Sequence, residues 1–563
     1  MTEKLSYVSG TSDAPLLYQT IGSALDEAAE RWGEREALVV PHQDVRWTWD
    51  QLKDRAEAVA AGFVALGLEP GDRVGIWSPN RAEWVLTQFA TAYAGLVLVN
   101  INPAYRLSEL EYVLNKVGCR ALVLADRFKS SDYVQMVRDL APEIDSCAPG
   151  QLKAAKLPRL AHAIVIAEDE PAGFHLFADI ADHATDESRQ RVETLKRELQ
   201  PEDPINIQFT SGTTGSPKGA TLTHHNILNN GYFVGEAQRF TADDRLSIPV
   251  PLYHCFGMVM GVLNCVTHGA AMVFPGEAFE PESVLKTVQA ERCTALYGVP
   301  TMFIAELDHP AFETFDLSSL RTGVMAGSPC PVEVMKKVID RMHMEDVTIG
   351  YGMTETSPVS FQTHPDDPLD KKVGSVGRVH PHLEVKIVDE DGKVVPVGTK
   401  GELCTRGYSV MCGYWDDPER TAEAVDAQGW MHTGDLSIID EAGYCNIVGR
   451  VKDMIIRGGE NVYPREIEEY LYRHDKVQDV AVFGVPDDRF GEAVAAWIKL
   501  KDGEQATEQD ILDFCKGQIA HYKVPAHIRF VDDFPMTVTG KIQKFVMRDK
   551  MAEELNLREQ QTA

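Results

Sequence analysis

Residues 209–226 read FTSGTTGSPKGATLTHHN. From Thr210 through Ser211, Gly212, Thr213 and Thr214 to Gly215 no side chain is larger than threonine, and Lys218 follows between Pro217 and Gly219. Side chains this small cannot build a core. They leave backbone amides and hydroxyls bare beside one cation, which suits a polyanion such as phosphate. The loop is not a P-loop of the Walker type, which needs a Gly, four residues and then Gly-Lys-Ser/Thr. Most Gly/Ser/Thr runs are only turns, so this stretch alone leaves both readings open.

The chain has 563 residues, 44% of them apolar and 25% charged, which is ordinary globular composition. That length exceeds one core and predicts several domain-sized units. With 55 Lys+Arg against 85 Asp+Glu the formal net charge is −30, so nucleic acid and anionic bilayers are disfavoured as partners. The opening residues carry no apolar segment of the signal-peptide kind, and no run approaches the roughly 20 apolar residues of a membrane span. The ten cysteines are scattered without a CxxC pair, which predicts reduced thiols and a cytoplasmic protein.

Between about Thr48 and Asp126 helical and strand patterns alternate. TWDQLKDRAEAVAAGFVALG has helical spacing after a threonine cap, while DRVGIWSPN and CRALVLAD are short apolar runs bounded by turn residues. HAIVIAE, AAMVFP, CTALYGVP and VTIGYGMTE resume the rhythm, which predicts an open, mostly parallel sheet with helices on both faces. After about Val373, LEVKIVDEDGKVVPVGTKGELCTRG reads strand, turn, strand, turn, strand, a small antiparallel or barrel-like unit. From Val451 a compact α+β piece follows: helix, two strands, helix. The boundary is expected within residues 450–453.

Three further segments carry chemistry. IGYGMTETSP sets Tyr351, Gly352, Thr354 and Glu355 directly after a strand, where open α/β sheets place ligands. There an aromatic ring can stack on a purine and a carboxylate can hold Mg²⁺, although a Thr-Glu helix cap would look the same. GWMHTGD puts Asp435 in a tight turn suited to a ribose diol, with Arg450 shortly after and RGGEN beyond it. FPMTVTGKIQK puts Lys541 after a glycine in a polar stretch. Singly, each of these has an ordinary structural explanation.

Together, in this order and separation, they resemble the adenylate-forming superfamily of acyl-CoA synthetases, aryl-CoA ligases, luciferases and peptide-synthetase adenylation domains, over residues 20 to 550. KDMIIRGGENVYPREIE most resembles the fatty and medium-chain acyl-CoA synthetases. The resemblance implies an N-terminal AMP-binding domain over residues 1–450, made of two doubly wound αβ subdomains and the barrel-like one. It implies a hinge at 451–453 centred on Lys452, and a mobile α+β lid over 454–563. It implies ATP, Mg²⁺ and CoA, a carboxylic acid substrate, acyl-AMP formation with release of pyrophosphate, and transfer to the CoA thiol. Thr210 to Lys218 would close over the β- and γ-phosphates. Gly327, Ser328 and Pro329 would border the adenine under Tyr351, Thr354 would touch the α-phosphate, Glu355 would ligate Mg²⁺, and Asp435 with Arg450 would hold the ribose.

Lys541 would reach the reacting carboxylate, and Gly458, Gly459 and Glu460 would meet CoA after the lid rotates. Relatives are switched off by acetylation of the lysine at this position, so an acetyltransferase and a deacetylase are further expected partners; a homodimer is left open. By the same resemblance His254 would lie near the reacting carboxylate, and Met258, Tyr297, Gly298, Val299 and Met325 are expected to line the acyl pocket. Some long-chain enzymes place a tryptophan gate where this chain has Met258, which turns the expectation toward a short or medium fatty acid. Two alternatives remain: acyl loading onto a carrier protein, and a catalytically silent nucleotide- or acyl-binding scaffold.

Overall fold

The structure is a computed structural model that describes residues 4–210, 217–328, 330–450, 453–457, 460–487, 490–516, 518–519, 521–537 and 541–555. The first helix of the alternating region forms as its pattern requires. Thr48 caps Trp49–Ala65 and Gln51 returns the bond to the Thr48 amide, a capping box that contributes about 1 kcal/mol.

Each strand of the first αβ unit divides its side chains between two cores. In Cys119–Ala125, Ala121 and Val123 face the helices Trp49–Ala65 and Ala82–Ala94, while Leu122 and Leu124 face Leu107–Val117 and Tyr133–Leu140. Both faces are therefore apolar, and the runs are continuous rather than alternating. The eight strands run His175–Leu176, His162–Ile166, Cys119–Ala125, Arg73–Trp77, Val97–Asn100, Pro204–Thr210, Lys218–Thr223, Gly413–Tyr414. The first six are mutually parallel, and the quoted loop joins the antiparallel pair that follows.

A nine-stranded sheet forms the second unit, with Arg245–Ser247, Ala271–Val273, Ala295–Gly298, Thr322–Ala326 and Asp346–Gly352 parallel at its centre. One face shares the first core and the other packs on helices Pro281–Glu291 and Val332–Arg341. The carboxyl ends of both sheets thus open toward the same region.

The barrel-like unit differs from its sequence pattern in two ways. Only Leu383–Val388 and Gly401–Gly407 form strands there; Val394 makes a single bridge to Val388, because Pro396 has no amide to donate and Gly398 turns with φ +81°. The outer strand comes instead from the chain's beginning: Tyr7–Ser9 pairs antiparallel with Leu383–Val388, and Met431–Ile439 and Cys445–Arg450 complete the sheet. The C-terminal unit contains the expected helix Pro464–Leu471, strands Val477–Asp487 and Gly491–Leu500, and helix Glu508–Cys515 around a separate core, and adds strands Ile455–Arg457, Glu460–Val462 and His527–Phe530 and helix Lys544–Glu554. No helix among the described residues is long and apolar enough to cross a membrane.

Burial also fixes the charge state of several histidines. It lowers His162 to about 4 and His224 and His380 to about 3, all below the free value. Their folded-state values lie beneath the unfolded one, so the unfolded chain binds more protons once pH drops under about 6.5. The stability these neutral rings provide is complete above that pH and is lost as pH falls toward 3–4. Urea midpoints measured from pH 7 to 4.5 are expected to decline, each histidine adding up to about 1.4 kcal/mol per pH unit. A flat profile would contradict neutral burial.

Candidate active site

The quoted loop is anchored at both ends, Thr210 pairing with Lys218 across the antiparallel strands. Ser211, Gly212, Thr213, Thr214 and Gly215 lie outside the described residues, as do Pro329, Lys452, Gly458 and Gly459 and the side chain of Glu460. At the anchored ends a polar chain forms. Thr210 Oγ1 donates to Glu355 Oε1 at 3.2 Å, and Tyr414 OH donates to the same oxygen at 2.8 Å. Lys218 Nζ lies 4.5 Å from the centre of the Tyr414 ring. Glu355 is buried, and both described donors use one oxygen, so the other can meet a hard cation. Burial and the Glu355 charge hold the Tyr414 phenol neutral.

Tyr351, Asp435 and Arg450 come together, as the resemblance implies. Antiparallel register sets Asp435 opposite Arg450. Tyr351 OH donates to Asp435 Oδ2 at 2.5 Å and Arg450 Nε to Oδ1 at 3.1 Å. The Arg450 side chain is 63% exposed, so this pair orients the carboxylate more than it stabilises the fold. Gly352 has a steric reason to be glycine: a Cβ there would lie 1.7 Å from the Pro358 carbonyl oxygen. The turn carrying Thr354 and Glu355 therefore folds tightly back on its strand, and the Met411 amide donates to the Glu355 carbonyl at 3.0 Å.

Lys541 belongs to the C-terminal unit yet reaches this group. Its Cε is 4.0 Å from where a Gly327 Cβ would stand, and Gly327 has φ +89° beside Ser328. Burial and then Arg450 lower its ammonium pKa, while Glu355 and Asp435 act the other way. A backbone amide bond from Lys541 N to Thr537 Oγ1, 3.0 Å, holds the approach. His254 is brought down to about 3 by burial, with Lys541 adding to the effect. Its Nδ1 accepts from the Phe256 amide at 3.2 Å, which leaves the proton on Nε2.

After His254 the chain runs as a π-helix, Phe256–Leu263, buried along its length. Such helices are rare and concentrate at functional sites. Met258 lies inside it with Gln208 Nε2 3.2 Å from its sulfur, and Val299 packs in the same core. Tyr297 is fully enclosed, its hydroxyl accepting from Gln238 (2.8 Å) and Asn264 (3.0 Å); Gly298 leaves room for Phe303. Met325 does not join them. Strand alternation sends it into the core of helices Pro281–Glu291 and Val332–Arg341, and Val324 faces the Met258 side instead.

A cleft of about 370 Å³ lies between the large unit and the C-terminal one. Pro103, Tyr253 and Met302 wall it on one side and Lys499, Phe534 and Thr537 on the other. Sequence reasoning missed this cleft, because its walls are brought together only by packing of the two units. It also missed Tyr414, whose role depends on pairing with Ala220 far back in the chain. Glu402 was missed as well: its Oε1 accepts from the Gly434 amide at 3.1 Å and its Oε2 from His432 Nδ1 at 2.9 Å, so it grips the turn bearing Asp435.

These features define a class of nucleotide-handling enzyme in which two domains meet over a carboxylate-lined site. The chain belongs to the AMP-binding enzyme family: residues 25–415 match the model of that family and residues 466–541 match its C-terminal domain. Medium-chain acyl-CoA ligase ACSF2, mitochondrial, of Homo sapiens is 47% identical over 98% of this chain and 91% of its own. The anthranilate CoA ligase AuaEII, in complex with anthranoyl-AMP, superposes with TM-score 0.85 at 29% identity over 97% of this chain and 99% of its own. ATP-bound MatB from Rhodopseudomonas palustris gives 0.81 at 30% identity, over 95% and 100%.

Proposed function

We propose that the protein is an ATP-dependent acyl-CoA ligase acting on short- or medium-chain carboxylic acids. The observation that carries this reading is Lys541, delivered by the C-terminal unit to the Gly327 turn within the electrostatic reach of Glu355 and Asp435. The substrate carboxylate attacks the α-phosphorus of ATP; an O–P bond forms and pyrophosphate leaves with the electron pair of the broken bond. No protein nucleophile is required, so catalysis consists of positioning and of offsetting negative charge.

Asp435 accepts the ribose hydroxyls, with Arg450 and Tyr351 fixing its orientation, and the Tyr351 ring offers a face to adenine. His254 donates its Nε2 proton in a hydrogen bond to the substrate carboxylate. Lys218 and the Thr210–Gly215 loop hold the outer phosphates, and Thr354 touches the inner one. The free oxygen of Glu355 fits Mg²⁺, which supplies charge neutralisation of the phosphates when bound. The CoA thiol then attacks the acyl carbon, forming a C–S bond and releasing AMP, with its proton passing to solvent.

Lys452 is the proposed hinge between residues 1–450 and 454–563, and Gly458, Gly459 and Glu460 the proposed CoA contacts after rotation. Acetylation of Lys541 would remove the charge that the first step uses. The chain-length assignment rests on Met258, which stands where some long-chain enzymes place a gating tryptophan, and on the medium-chain name of the human relative.

The test is AMP and thioester formation from ATP, Mg²⁺ and CoA with straight-chain, branched and aromatic acids. Both products should peak together with short or medium straight chains. Pyrophosphate exchange without thioester would move the acceptor from CoA to a carrier protein, and ATP binding without turnover would leave a silent scaffold.

A further inference from the structure

On the same strand that carries Asp435, the barrel-like sheet gathers a second set of donor atoms. Cys404 in Gly401–Gly407 sits directly across from His432 in Met431–Ile439, and Glu402 precedes it by two residues on the same strand. One ligand atom from each of the three lies within 4.8 Å of the others. Cys404 Sγ is 3.5 Å from His432 Nδ1, and Glu402 Oε2 is 2.9 Å from that nitrogen.

We propose that Glu402, Cys404 and His432 form a binding site for a borderline-soft divalent cation of the zinc class. With metal–nitrogen and metal–sulfur bonds of ordinary zinc length, the sulfur-to-nitrogen edge of a tetrahedron is about 3.5 Å, which the Cys404–His432 pair already has. The oxygen-to-nitrogen edge needs to open by only a few tenths of an ångström, and the Glu402 side chain, 27% exposed, can swing that far. One thiolate, one imidazole and one carboxylate select zinc, cobalt or cadmium over Mg²⁺, which prefers an all-oxygen shell.

The surroundings are those of an oriented ligand set. Asp426 Oδ2 faces the other ring nitrogen of His432 at 3.9 Å, and Asp426 is itself fixed by the Gln428 and Trp430 amides, 2.9 Å each. The second oxygen of Glu402 is held by Gly434. Nearby positive charge is occupied elsewhere, Arg406 pairing with Glu384 while it and Lys386 lie on the Trp430 ring. His432 and Glu402 are partly exposed, which gives the ion a route in and a water the fourth position. Binding displaces the Cys404 thiol proton to solvent, and the His432 ring proton sits on Nε2, facing Asp426, while Nδ1 takes the metal. Because His432 is three residues from Asp435, occupancy pins the turn that presents the ribose carboxylate.

Titration of the full-length, metal-free protein with Co²⁺ tests this without relying on turnover. One equivalent should give a sulfur-to-cobalt charge-transfer band and the strong visible absorption of tetrahedral cobalt, undisturbed by excess Mg²⁺. Cys404→Ser should abolish the charge-transfer band, whereas Cys412→Ser, at the exposed cysteine, should retain it. Asp426→Asn should weaken binding about 10–100-fold. Should Cys404→Ser fail to fold, His432→Gln at its half-exposed position takes its place, with at least about tenfold weaker binding expected. No band in the wild type, or a band that survives both Cys404→Ser and His432→Gln, overturns the proposal.

Discussion

Lys541→Ala is expected to slow acyl-adenylate formation by about 10²–10³-fold, the usual cost of removing one preorganised electrostatic group from a reaction centre. Thioester formation from supplied acyl-AMP should stay near the wild-type rate. The asymmetry follows from location. Lys541 rides on the C-terminal unit and meets Gly327, where burial and Arg450 lower its pKa against Glu355 and Asp435. Its charge is therefore useful while negative charge is moving onto pyrophosphate. Pyrophosphate exchange and single-turnover thioesterification, measured side by side, separate the steps. Equal losses in both would mean that Lys541 supports the site as a whole rather than the first step.

Glu355→Gln should cost a similar 10²–10³-fold in the adenylation rate, and the Mg²⁺ concentration for half-maximal activity should rise. The fold has little reason to object. Tyr414 and Thr210 both donate to Oε1, which an amide oxygen can replace, and the buried carboxylate is exchanged for a neutral group of the same shape. Thermal midpoints at or slightly above wild type are thus expected beside the loss of rate. A variant with unchanged Mg²⁺ dependence would remove Glu355 from the metal-binding role.

Much of the architecture is legible in the chain because continuous apolar runs bounded by turn residues leave few alternatives to buried parallel strands. Cys119–Ala125 announces itself in this way and Trp49–Ala65 by its helical spacing, whereas in the C-terminal unit the short strands Ile455–Arg457, Glu460–Val462 and His527–Phe530 and the helix Lys544–Glu554 are not legible. The candidate site residues are legible for another reason: Tyr351, Glu355 and Asp435 each have an ordinary structural explanation alone, and only their order and separation, matched to the adenylate-forming superfamily, single them out. Whatever depends on pairing between distant segments is hidden. Tyr414 looks like any tyrosine until its strand joins the first sheet, and Glu402 looks like a surface carboxylate until the neighbouring strand brings His432 and the Gly434 amide to it. Met325 illustrates the opposite error. It is expected to line the acyl pocket, but the strand's two-residue period puts it in the opposite core and Val324 on the Met258 side.

The strand Tyr7–Ser9 also sets an order of events during synthesis. Tyr7 and its partner residue Glu384 are separated by 377 positions. At a translation rate of about 5–20 residues per second, roughly 20–75 s pass between emergence of the first strand and of its partner. The two αβ units can collapse within that interval, but the sheet that carries Asp435 and Arg450 must leave an edge unpaired until the chain's first residues return to it. The nucleotide site is accordingly among the last parts of the large unit to be finished, and the nascent chain acquires it only after most of its length has been made.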